Sequence, residues 1–324
     1  MKTITYGQAI SEAMHEEMVR DNSVFILGED MGLIGSVFGL TKGFMDEFGA
    51  HRVIDTPISE AGFTGMAVGA AMRGLRPIVE LMYVDFAPIC LDPIVNQAAK
   101  MRYMTGGQVK VPLVIRAPGG AGRRNAGQHS QSLEALFTHF PGLKVISPST
   151  PYDAKGLLKA AIRDDDPVMF LEHKLLYAQK GDVPVEEYVI PIGKADIKRT
   201  GCDVTIIAWS RQVLFALEAA RQLAQQGIEA EVVDLRTLVP LDWETIETSV
   251  RKTHKVVVVQ EAVKRSGYAG EISAQIMEEA FDYLDAPVKR VAGLNVVPPF
   301  SPALEDLTYP DVKDIIAGVM EVVS

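Results

Sequence analysis

The side chains able to do chemistry gather at a few places along the chain. Glu60 ends the approach Asp55-Thr56-Pro57-Ile58-Ser59 and stands directly before Ala61, Gly62, Gly65, Ala67, Gly69, Ala70 and Ala71. So many small residues suit a helix whose backbone packs closely on another element, because glycine otherwise weakens a helix. A carboxylate at that helix start is favoured by unpaired N–H groups. Taken alone, it reads first as an ordinary N-terminal helix acid. His129 lies in the glycine-rich stretch Pro118-Gly119-Gly120-Ala121-Gly122-Arg123-Arg124-Asn125-Ala126-Gly127-Gln128-His129-Ser130-Gln131-Ser132. Its imidazole can exchange protons near neutral pH, or it is a surface or capping histidine. Glu29-Asp30 follow the apolar run Ser23–Gly28, at the strand end where parallel sheets bind ligands, or else form a solvated turn. Phe86, after the run beginning at Pro77, could stack on a planar heterocycle or fill the core. Asp164-Asp165-Asp166 close a helical pattern at the end that disfavours acids. A cation held by carbonyls and a carboxylate or a solvated turn would account for them.

Other chemistries lack their patterns. Gly119-Gly120-Ala121-Gly122 has neither the spacing nor the lysine of a phosphate cradle. There is no serine elbow, no reactive cysteine motif and no metal-ligand spacing among the six histidines.

The elements that must position these residues alternate strand and helix. An amphipathic helix over 7–20 places Ile10, Met14 and Met18 inward and Glu12, Glu16 and Glu17 outward. Strands at 23–28, 77–84, 111–116, 143–147 and 167–172 intersperse with helices after Glu60, near 92–103 and at 151–163. Runs such as Val111-Pro112-Leu113-Val114-Ile115 are apolar without alternation, as in a sheet covered on both faces. A charged, extended stretch over 181–202 marks a linker. A second series follows over 203–324, with strands at 203–208, 229–234, 255–260 and 287–291, and helices at 211–226, 241–252, 268–283 and 309–322. The fold class is α/β, as two three-layer domains over 1–180 and 203–324.

Composition excludes several classes. Across 324 residues, 48% hydrophobic and 23% charged residues describe a folded chain long enough for two domains. A net charge of −10 argues against nucleic acid, whose phosphates need a basic face. Cys90 and Cys202 make no disulfide framework, no run approaches a membrane span of about 18 apolar residues, and the N-terminus lacks a signal peptide's apolar core. These features point to the cytoplasm and away from the membrane.

Ordered motifs then add up to a family. Asp55-Thr56-Pro57-Ile58-Ser59-Glu60, Gln128-His129-Ser130-Gln131-Ser132, Pro141-Gly142-Leu143-Lys144-Val145 and Pro148-Ser149-Thr150-Pro151-Tyr152-Asp153-Ala154-Lys155-Gly156-Leu157 are followed by Ala161-Ile162-Arg163-Asp164. Val232-Val233-Asp234-Leu235-Arg236-Thr237 and Pro299-Phe300-Ser301-Pro302-Ala303-Leu304-Glu305-Asp306 complete the set. Over essentially its whole length the chain resembles the beta subunit of the thiamine-diphosphate-dependent first component of 2-oxo acid dehydrogenase complexes. The pyruvate and acetoin members are most alike, and Gln128–Leu133 with Pro299–Pro302 lean to the acetoin type.

The resemblance implies a transketolase-like pyrimidine-binding domain followed by a transketolase C-terminal-like domain. It implies that Glu60 hydrogen-bonds the cofactor's pyrimidine nitrogen and favours the imino tautomer that takes the thiazolium proton. Phe86 would pack on the pyrimidine, Ile58 would give a backbone contact, and His129 would orient intermediates and pass protons during transfer to a lipoyl group. Glu29 would belong to an acidic route between paired sites. Leu113, Ala161, Ile162, Asp164 and Asp166 match a potassium-type site, with Asp166 where an asparagine is frequent. The Gly-Asp-Gly stretch and following asparagine that hold magnesium and diphosphate in such enzymes are absent. The clamp is therefore expected from an alpha subunit in an α2β2 heterotetramer, with a lipoyl-bearing acyltransferase core docking on the C-terminal domain. Other readings are a branched-chain 2-oxo acid dehydrogenase beta subunit, a non-catalytic assembly subunit, and a self-sufficient transketolase-like enzyme. The missing motif and the length disfavour the last.

Overall fold

Strands Val24–Gly28 and Val114–Gly119 are buried at every residue, which is why their sequences show no polar alternation. The computed structural model describes the whole chain, Met1 to Ser324. It divides into two units, residues 1–119 with 136–192 and residues 120–135 with 193–324.

In chain order the first unit contains β1 (Lys2–Thr5), α1 (Tyr6–Arg20), β2 (Val24–Gly28), α2 (Phe44–Phe48), β3 (Val53–Asp55), α3 (Glu60–Met72), β4 (Arg76–Glu80), α4 (Ala99–Met104) and β5 (Val114–Gly119). After α5 (Glu134–Thr138) come β6 (Lys144–Ile146), α6 (Pro151–Arg163), β7 (Val168–His173) and β8 (Lys180–Val183). The parallel strands lie in the order β6-β7-β5-β4-β2-β3. The chain passes from β2 to β3 on one side and then to β4 on the other, so a switch point lies between β2 and β4. Register puts Gly28, Asp55, Glu80 and Arg116 in one row at the carboxyl edge of the sheet.

Helix ends follow their sequence signals. Thr5 and Gln8 form a capping box at α1, and Thr150 caps α6 with Pro151 in the first turn. Ile10, Met14 and Met18 are fully buried. Glu17, expected outward, is buried as well, because Arg20 and Arg163 both donate to its carboxylate. Gly142, with φ of +93°, leaves no room for a side chain: a Cβ there would lie 2.0 Å from the Ala99 carbonyl oxygen. The strand expected over 77–84 stops at Glu80, and Val84–Cys90 coils into a tight helical turn instead.

The second unit adds β9 (Asp196–Arg199), β10 (Val204–Ala208), α7 (Gln212–Ala224), β11 (Ala230–Asp234), β12 (Thr237–Val239), α8 (Trp243–Thr253), β13 (Val256–Val263), α9 (Tyr268–Glu279), β14 (Lys289–Gly293), α10 (Pro302–Glu305) and α11 (Val312–Val323). Its five-stranded sheet runs β14-β13-β10-β11-β9, parallel except for β9. Its core joins Ile206, Val232, Val257 and Val259 to Ala216 and Leu223 of α7 and to Ile315 and Val319 of α11.

The stretch 181–202 is partly structured. Lys180–Val183 pairs antiparallel with β1, Tyr188 donates to the Tyr152 carbonyl at 2.9 Å, and Asp196–Arg199 enters the second sheet. The glycine-rich stretch from Gly120 to Ala135 belongs to the second unit, because its anchors are there.

Candidate active site

Glu29 and Glu60 come together at the switch point, and Phe86 follows a third strand end. β2 ends at Gly28, so Glu29 follows the strand directly; the segment after β3 leads to Glu60, the first residue of α3; the turn after β4 carries Phe86. Glu60 is only 6% exposed, and none of the chain's own donors reaches its carboxylate. Glu29 is 5% exposed and its Oε1 is buried without a partner. Burial pushes the Glu29 carboxyl above its ordinary range, and the neighbouring charges of Glu60 and Asp30 add to that. Cys90 lies beside Thr64 and Glu60, and burial above all pushes its thiol up to about 11. It is therefore a neutral packing group, not a nucleophile. Phe86 is half-buried, edge-on to Tyr83 with ring centroids 5.8 Å apart. Ile58, expected to offer a backbone contact, is exposed.

Behind this site lies a buried ion network that sequence reasoning missed. Arg116 donates to Glu80 at 2.6 Å and to Glu172 at 2.7 and 2.9 Å, and the Tyr177 hydroxyl donates to Glu172 at 2.5 Å. One guanidinium faces two carboxylates, and burial, reinforced by Glu172, raises the Glu80 carboxyl despite Arg116. The signal was a lone arginine inside the apolar run Leu113–Ala117.

His129 is half-buried in the second unit, on a loop with positive φ at Gly120, Gly122, Arg124 and Ala126. Gly120 N–H donates to the Gln131 carbonyl at 2.9 Å and closes the loop's base. Below it, Glu134 is 7% exposed and accepts from Trp209 Nε1 at 3.4 Å. Burial, opposed by its backbone hydrogen bond and reinforced by Glu261, pushes its carboxyl up to about 7.

The residues matched to a potassium-type site lie among basic side chains. Arg76 donates to the carbonyls of Ile162 and Asp164 at 3.0 and 2.8 Å. Lys144 holds the Asp164 carboxylate at 2.7 Å and, with Arg102, also pairs Asp166. The Leu113 and Ala161 carbonyls accept from the Val168 and Asp164 N–H groups. Basic side chains thus supply the positive charge that the acidic helix end required.

Comparison with known proteins places this geometry. Residues 2–180 match the transketolase pyrimidine-binding domain and residues 193–315 the transketolase C-terminal domain. The acetoin:2,6-dichlorophenolindophenol oxidoreductase subunit beta of Cupriavidus necator is 52% identical, covering 96% of this chain and 94% of that protein. The protein of the same name from Bacillus subtilis is 50% identical over 99% and 97% of the two chains. The pyruvate dehydrogenase E1 component subunit beta of Rickettsia felis is 50% identical over 98% of each. Among solved structures, an inactive beta4 tetramer of a split-gene transketolase shares the fold with a TM-score of 0.82 at 24% identity, covering 99% of this chain and 98% of that one. The chain belongs to the family of beta subunits of the thiamine-diphosphate-dependent first component of pyruvate and acetoin dehydrogenases.

Proposed function

We propose that this chain works with an alpha subunit, as an α2β2 heterotetramer, to cleave a pyruvate-type 2-oxo acid or acetoin and pass the acyl group to the lipoyl group of a partner acyltransferase. The observation that carries the reading is the Glu60 carboxylate: buried at the switch point, at the start of a helix, and given no donor by its own chain. A largely buried carboxyl that takes no donor from its own chain has acceptor capacity to spare, so an N–H of the cofactor's pyrimidine fits it. Phe86, on the turn after β4, offers a half-buried ring, and Ile58 is exposed.

Bound thiamine diphosphate supplies the carbon that attacks the substrate carbonyl and the electron sink for the cleaved bond. Glu60 holds the pyrimidine in the tautomer that can accept a proton, through a charge-assisted hydrogen bond. Glu29, whose carboxyl keeps its proton more readily than usual, spares Glu60 a second negative charge beside it. His129 orients the reacting groups and moves a proton during transfer to the lipoyl group. Magnesium and the diphosphate are held by the alpha subunit. The carbonyls around Leu113, Ala161, Ile162, Asp164 and Asp166 remain the place for a potassium-type cation, with Arg76 and Lys144 nearby. The acyltransferase core docks on the C-terminal domain, and the assembly works in the cytoplasm; the two free cysteines fit a reducing compartment.

The decisive experiment is co-expression with the alpha subunit, followed by side-by-side assays of pyruvate, acetoin and branched-chain 2-oxo acids with an artificial electron acceptor. Turnover of pyruvate or acetoin is expected. A purified α2β2 assembly that binds thiamine diphosphate yet turns over none of them would overturn the reading.

A further inference from the structure

The loop that carries His129 has strained turns and many glycines, features that leave a segment mobile unless something fixes it. Two buried carboxylates from distant parts of the second unit do so. Glu261, at the end of β13, is 5% exposed. Its Oε1 accepts from the Ala121 N–H at 2.8 Å and from the Ser132 hydroxyl at 3.0 Å. Those donors lie on the two sides of the loop, so one oxygen ties both stems. Glu305, at the end of α10, is 1% exposed. Its two oxygens accept from the Gly122 N–H at 2.9 Å and from Arg124 at 2.7 Å. Arg211, half-buried, interacts favourably with both carboxylates. Hydrogen bonds to ionised acceptors are shorter and about twice as strong as neutral ones, and they act here where little water competes.

Resting on the reading of His129 given above, we propose that Glu261, supported by Glu305, is a positioning residue for His129: it fixes the stems of the loop so that the imidazole is presented in one place. Neither carboxylate is asked to touch substrate or cofactor. Misplacement of a reacting group by about 1 Å can lower a rate about a hundredfold, so a carboxylate acting only through the loop can still govern turnover.

The test has two independent readouts. In the reconstituted α2β2 enzyme, Glu261→Ala should speed hydrogen exchange of amides over 120–132 at least about tenfold while sparing β13 and α7, since lost anchors expose otherwise protected amides. Glu261→Gln, which keeps a neutral acceptor, should fall between Ala and wild type. Unchanged exchange in Glu261→Ala would end the proposal. In the second readout, kcat for acyl transfer to the lipoyl group should fall roughly ten- to a hundredfold, with KM for the first substrate unchanged. This loss should vanish when the substitution is made in a His129→Ala background. An equal loss in both backgrounds would show that Glu261 acts through something other than His129. If His129→Ala alone leaves transfer intact, the role of His129 fails, while the exchange data still decide whether Glu261 fixes the loop. Should the Glu261 variants not fold, Ser132→Ala removes one stem contact and leaves the carboxylate paired with Ala121. It should loosen the 130–132 stem, and wild-type exchange there would count against the proposal.

Discussion

Glu60 gives up most of its water without gaining a partner from its own chain, and that imbalance makes its role testable. Glu60→Gln keeps the size and the ability to hydrogen-bond but loses the charge that favours the protonated pyrimidine. Acid–base assistance of this kind contributes roughly a hundred- to ten-thousandfold, so activity of the reconstituted enzyme should drop within that range while the fold is retained. Exchange of the cofactor's thiazolium proton with deuterated solvent, read by quench and NMR, isolates the step. Wild-type exchange in the variant would reduce Glu60 to a helix-start acid. Glu134 makes a different prediction, about stability. Its carboxyl is raised in the fold from 4.5 to about 7, so the folded chain binds a proton more tightly than the unfolded one. Its favourable contribution is full below about 4.5, declines as pH rises, and is gone above about 7; that interval corresponds to roughly 3 kcal/mol. Glu134→Gln should therefore flatten this part of the pH–stability curve and leave the variant more stable than wild type at pH 8, as measured by denaturant unfolding. A wild-type slope between pH 5 and 7 would mean that another group titrates there.

At the scale of elements, Arg116 links the carboxyl ends of β4, β5 and β7. It pairs with both Glu80 and Glu172, which otherwise stand buried together. Removing one partner of such a buried group typically costs about 3–5 kcal/mol. Arg116→Met should therefore lower stability by that order, and more at alkaline pH than at acid pH, where protonation of Glu80 relieves the repulsion. An unfolding midpoint within experimental scatter of wild type would show that the network is dispensable. The contrast with Glu60 shows what the sequence discloses. Glu60, Glu29 and α6 are legible because their signals are local: an acid before a small-residue helix, an acid after a buried strand, a Thr-Pro cap followed by helical periodicity. The Arg116 network and the Glu261 anchor are not, because they join residues 36 to 140 positions apart. Sequence periodicity carries no record of which distant side chains meet. Glu261 did share one local mark with Glu29, an acid closing a buried valine-rich run, although it sits within β13 rather than beyond it. Glu17 was misread for a related reason: helical periodicity gives its face, while its burial depends on Arg163 across in α6.

For the whole molecule, the question is whether one chain can hold the cofactor alone. On the proposed reading its residues supply an acceptor for the pyrimidine and a ring to pack on it, but it has no Gly-Asp-Gly stretch for the diphosphate. Nowhere do three or more acidic, histidine or cysteine side chains converge as a metal site. A diphosphate needs a cation and oriented donors to offset its charge, and a chain of net charge −10 offers it an unfavourable field. The expected outcome is that isolated chain binds thiamine diphosphate with magnesium weakly or not at all, and that addition of the alpha subunit brings binding into the micromolar range or tighter. Binding that rises from millimolar to micromolar corresponds to about 4 kcal/mol, a difference that calorimetry resolves directly. The same titration on Glu60→Gln in the assembled enzyme should leave most of this affinity in place, if the diphosphate clamp is on the other subunit as proposed. Magnesium-dependent micromolar binding to the isolated chain would show that this chain carries its own clamp, and the division of the site between two subunits would have to be abandoned.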